Sequence, residues 1–115
     1  MFDDLALIHG TLEVLVLKTL SWGSRHGYGI AQWIRDLSRD TLCIEDRALY
    51  LALHRMESRG WIESEWGLSE NNRRAKYYTL TSSGRQQLRA KTAVWTQYSA
   101  VVSLLLAATE PGSSK

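Results

Sequence analysis

The sequence predicts a mainly α-helical α+β domain, with a two-stranded β-hairpin set between the third and fourth helices. Three observations predict it. Apolar residues recur at three- and four-residue spacing in four separate segments. Residues 61–66 alternate with period two, and a second β-type run, 76–81, follows a turn-forming stretch. The only proline is Pro111, so none interrupts the helical patterns before it.

The chain has 115 residues, enough for one domain with one core. The first predicted helix covers residues 3–21. Leu5, Ile8, Leu12, Leu15, Val16 and Thr19 repeat at helical spacing, and Leu7, Val14 and Leu17 widen the apolar face. Gly10 weakens this helix or permits close packing. "SWGSRHGYG" then reads as a connection. A second helix, 28–38, carries Ile30, Ile34 and Leu37 on one face, with Ala31 and Trp33 beside them. The third, 46–59, has Asp46 as its expected N-cap and Gly60 as its stop. Leu49, Ala52, Leu53 and Met56 form its apolar stripe; Arg47, Tyr50, Leu51, His54, Arg55 and Ser58 fall opposite.

In the hairpin, Ile62, Ser64 and Trp66 share one face of the first strand. Gly67 and Asn71-Asn72 form the turn, and "KYYTLT" returns. One of Tyr77 and Tyr78 is expected to pack on the core. Thr81 reads as the N-cap of a last helix, 82–108. Along it Leu88, Thr92, Trp95, Tyr98, Val102 and Leu105 repeat like a coiled coil. One terminal helix with so much apolar surface calls for a second copy of the chain. Residues 1–81 are thus expected to form the functional head, 82–108 the dimerisation helix, and 109–115 a disordered tail.

Charge is uneven. Residues 1–46 carry net −3, residues 47–91 net +5, and the remainder is neutral. A basic middle segment is the footprint of a surface that meets phosphate. Arg73, Arg74 and Lys76 crowd the hairpin, and Arg47 and Arg55 lie on the polar side of the helix before it. His9, His26 and His54 have no metal-ligand spacing, and no nucleophile motif or phosphate-binding glycine loop occurs. No catalytic residue, metal or cofactor is expected. Cys43 is the only cysteine, which excludes an intrachain disulfide and, with no signal-like start or bilayer-length apolar run, points to a reducing cytoplasm.

Two helices joined by a turn, the second basic outside, followed at once by a hairpin, make a winged helix-turn-helix. At this level the sequence resembles the PadR family of bacterial transcriptional regulators. "GTLEVLVLKTL", "HGYGI", "LYLALHRMESRGWIESEW" and "RRAKYYTLTSSGRQQL" carry the resemblance, which covers residues 5 to 105. The single C-terminal helix looks like the compact branch of that family. The resemblance implies a dimeric repressor on the bacterial nucleoid, with its third helix in the major groove of double-stranded DNA and its wing against the backbone or minor groove.

The residues expected to meet DNA are Arg47, Tyr50, Leu51, His54, Arg55, Arg73, Arg74 and Lys76. The family's small pair before the leucine-tyrosine of that helix is replaced here by Arg47 and Ala48, and its following proline by Leu51. Asp46 is therefore expected to cap the helix and lengthen it by about a turn. Trp95, Tyr98 and Val102 read first as dimer interface and second, with Trp22 or Phe2, as a seat for a small hydrophobic or phenolic effector. The alternative function is a winged-helix module for protein–protein interaction. A docking wing has no need of arginines at its tip, which weighs against it.

Overall fold

A computed structural model describes residues 10–111 of the chain. Seven elements run in order: α1 (Thr11–Leu20), β1 (Arg25–His26), α2 (Gly27–Leu37), α3 (Asp46–Ser58), β2 (Ile62–Leu68), β3 (Arg74–Leu80) and α4 (Ser82–Ala107). Of the first expected helix, 3–21, the described part is α1, whose N-cap is Gly10 at φ 89°, a left-handed conformation that glycine adopts readily. Phe2, Leu5, Leu7, Ile8 and His9 lie outside the described residues.

The sheet has three strands, not two, in the order β1-β3-β2. The third strand is a two-residue segment inside the stretch expected to be a plain connection. Arg25 pairs with Tyr78 and His26 with Tyr77, both antiparallel. So short a strand leaves no period-two signal. On the other side β2 and β3 pair from Ile62↔Leu80 out to Leu68↔Arg74. The base of that ladder is core and its outer end is wing.

The core joins Val16, Leu17 and Leu20 of α1, Ile30 and Ile34 of α2, Leu49, Leu53 and Met56 of α3, and Ile62, Tyr78 and Leu80 of the sheet. Every apolar stripe residue expected on α3 is buried. Leu37, expected on the apolar face of α2, is instead 67% exposed. It is the last helical residue, beyond the point where Ile34 closes onto the core.

The capping of α3 also differs from expectation. Residues 46–48 are helical, but Asp46 is the first helical residue and Glu45 is the cap, with no side-chain hydrogen bond. The carboxylate of Asp46 still sits in the first turn, where it complements the helix dipole.

The start of α4 follows the expected motif. Thr81 Oγ1 accepts from the Gly84 amide at 3.0 Å. Its hydroxyl lies 2.7 Å from the Gly60 carbonyl and 3.0 Å from that of Trp61. Gly84 is buried, and a Cβ there would strike the Trp61 carbonyl. Absence of a side chain therefore lets α4 leave the sheet at its observed angle.

Candidate nucleic-acid interface

The packing divides α3 into three sides. Its stripe faces the core. One flank, Arg55 and Arg59, faces α1; the other, Tyr50, His54 and Glu57, borders the wing. Between them Arg47 and Leu51 stand exposed on the outer ridge, with Tyr50 and His54 exposed at its wing edge. The ridge thus offers a guanidinium, an aliphatic group, a phenol and an imidazole, which are suited to phosphate, thymine methyl and base edges.

The wing faces this ridge across a groove of about 720 Å³, lined by Tyr50, His54 and Glu57 of α3, Trp66, Arg74 and Lys76 of the strands, and Arg73 of the turn. The turn is closed by the Ser69 amide to the Arg73 carbonyl and the Asn72 amide to the Ser69 carbonyl, both 2.8 Å. Asn72, at φ 61°, supplies the left-handed residue, as a turn-forming asparagine does. Arg73 and Arg74 are exposed. The Arg74 guanidinium lies over the Trp66 ring, 4.5 Å from its centroid, so its fork is pre-oriented at the wing.

Lys76 is less free. Its Nζ is 3.7 Å from Glu57, whose other oxygen accepts from Ser64 Oγ at 2.6 Å. Behind them is Tyr78, the tyrosine that enters the core, with 5% exposure. Burial pushes the Tyr78 phenol up from its ordinary value, and the nearby Glu57 and Tyr50 push the same way. Tyr77 faces the other way; its ring lies tilted against that of His26, 5.2 Å between centroids, and its hydroxyl donates to the Leu68 carbonyl at 2.8 Å, bracing the outer wing.

Of the residues expected to meet DNA, Tyr50, His54, Arg73, Arg74 and Lys76 line the groove, and Arg47 and Leu51 stand on the ridge beside it. Arg55 is turned away. Its Nε and Nη2 both lie 3.4 Å from Glu13 on α1. Trp22 is also set apart from its expected companions. It packs on Trp33, at 5.3 Å between ring centroids, whereas Trp95 and Tyr98 line a groove between α4 and the start of α1.

Sequence reasoning missed Trp66, His26 and Tyr28. Alternation placed Trp66 on the same face as the buried Ile62, yet Trp66 is 56% exposed because the strands run past the core. His26 lies in the quoted "HGYGI" and caps α2 by accepting from the Gly29 amide at 2.9 Å; it also lines the groove, as does Tyr28. Among the described residues no group of His, Cys, Asp and Glu is arranged to hold a metal ion.

Three helices, a short antiparallel sheet with a projecting hairpin and a long last helix define a winged-helix protein. The model of the transcriptional regulator PadR-like family matches residues 16–90, and the chain belongs to that family. A PadR family regulator from Clostridium difficile is 31% identical, with TM-score 0.74, covering 85% of this chain and 100% of that one. A second, from Eggerthella lenta, is 33% identical, with TM-score 0.75, covering 87% and 85%. The fold is also that of Bacillus subtilis PadR solved with operator DNA, at 21% identity and TM-score 0.63; 90% of this chain matches 51% of that longer one.

Proposed function

We propose that this chain is a homodimeric, sequence-specific DNA-binding repressor of the bacterial cytoplasm, acting on a twofold-symmetric operator in the nucleoid. One observation carries the reading: Tyr50 and His54 of α3 and the arginines of the wing line a single groove, with Arg47 and Leu51 exposed on the ridge beside it. The ridge enters the major groove, with Arg47, Tyr50, Leu51 and His54 meeting bases or phosphate. Arg73, Arg74 and Lys76 clamp the neighbouring backbone. Arg55 drops out of this contact set, because Glu13 engages it. The operator complex of Bacillus subtilis PadR, on the same fold, supports the reading. A gel shift with promoter DNA upstream of the chain's own gene tests it. A specific shift is expected. No shift, with capture of the protein by another protein instead, would favour the protein-docking alternative.

Dimerisation occurs through α4. Trp95, Tyr98 and Leu105 are 40%, 58% and 69% exposed, with Val102 half-buried between them. Val94, Val101 and Leu104 widen the apolar surface, which a second α4 covers. A groove of about 630 Å³ bounded by Val14, Val94, Trp95 and Tyr98 adjoins it, of a size and lining suited to a planar aromatic effector that releases the operator. Quenching of tryptophan fluorescence across a panel of flat aromatic compounds tests this. No response from any of them would remove the effector from the account.

A further inference from the structure

Glu13 is the one buried acid among the described residues, with 8% exposure. A carboxylate removed from water is retained only when its charge is met. Three cations meet this one. Arg55 Nη2 lies 3.4 Å from Oε2 and Arg59 Nη1 3.6 Å from the same oxygen. Lys91 Nζ of α4 lies 3.7 Å from Oε1. Arg55 belongs to the helix read above as entering DNA and Arg59 is its C-cap, on the flank next to the exposed ridge.

Neither arginine is locked away. Their side chains are 49% and 51% exposed, against 11% for the Glu13 side chain. The spacing is that of charge attraction rather than tight paired hydrogen bonds. Carboxylate and phosphate oxygens are equivalent partners for a guanidinium. Glu13 therefore occupies the arginines as a DNA phosphate would, from within the protein.

We infer that Glu13 is a specificity-determining residue, which withholds Arg55 and Arg59 from phosphate and so restrains binding to DNA of the wrong sequence. The inference rests on the DNA-binding reading. Non-cognate affinity comes almost wholly from phosphate contacts. Two further free arginines per subunit strengthen it, while cognate binding, which also uses base contacts, gains less. The ratio between the two falls. Glu13 acts through the arginines and touches no DNA, so it is a positioning residue.

The test compares the full-length wild type with Glu13→Gln and with Arg55→Gln/Arg59→Gln. Each is titrated with a duplex selected for tight binding and with a duplex of mixed sequence, over a range of salt. Glu13→Gln is expected to bind the mixed duplex on the order of tenfold more tightly at low salt, with the log–log salt slope steeper by about 0.9 for each freed contact. The double variant is expected to keep the wild-type slope, since those arginines touch no phosphate in the native protein. If Glu13→Gln does not fold, the double variant decides alone. An unchanged slope in a folded Glu13→Gln protein, or a shallower slope in the double variant, overturns the inference while leaving the DNA reading intact. A wild type that binds neither duplex overturns both.

Discussion

At the scale of single residues, the wing cations differ in how free they are. Arg74 is exposed and oriented by Trp66, whereas Lys76 shares its charge with Glu57. Arg74→Ala is expected to lower the salt slope of DNA binding by about 1 per subunit. Lys76→Ala is expected to lower it less, and equal losses would contradict this ranking. Tyr78 gives a pH prediction. Its raised pKa means that the folded state holds the phenolic proton more tightly than the unfolded chain. The stability this contributes is fully present below the ordinary value of 10.0 and is lost as pH rises through the higher folded value. Tyr78→Phe should therefore soften the fall in stability above about pH 10 in alkaline denaturation. An equal fall in both proteins would contradict it.

Much of this residue-level pattern is legible in the sequence. Clustered arginines beside a turn are a surface feature that burial does not reverse, and Arg73 and Arg74 are exposed as expected. Arg55 shows where such reading stops. On a helical wheel it lies opposite the stripe, but its partner, Glu13, is 42 positions away in the chain. A long-range ion pair leaves no local spacing to find.

At the scale of elements, four helices and the hairpin follow from periodicity and from two boundary signals, the Gly60 stop and the Thr81 N-cap. Gly60 sits at φ 78°, the left-handed position at which a helix C-terminus ends. What periodicity missed is β1, whose two residues are held by pairing with β3 and not by any pattern of their own. At the start of α4, Gly84 lies close against the Trp61 carbonyl and the Leu80 side chain. Gly84→Ala should destabilise the fold by about 1–3 kcal/mol through overpacking against the Trp61 carbonyl. Thr81→Ala should cost about 1 kcal/mol through loss of the cap. Chemical denaturation measures both; a neutral Gly84→Ala would mean that α4 can shift away at no cost.

At the scale of the whole molecule, the chain is not compact. Its radius of gyration is 17.4 Å, where about 13 Å is usual for this length. The excess reflects α4, whose 26 residues extend about 39 Å and whose outer half shows Leu104, Leu105 and Leu106 at 69% exposure or more. Val102→Glu or Leu105→Glu should convert a dimer to a monomer in sedimentation while leaving the head folded. A wild type already monomeric at high concentration would contradict pairing through α4.

In the proposed dimer, two heads fixed by such pairing would present two copies of the α3 ridge and wing to one duplex. Selection of bound sequences from a random DNA pool measures that arrangement most directly. The account predicts enrichment of two twofold-related half-sites whose centres lie about 34 Å apart, or a multiple of that distance. Enrichment of a single unpaired element, or of no sequence at all, would contradict it.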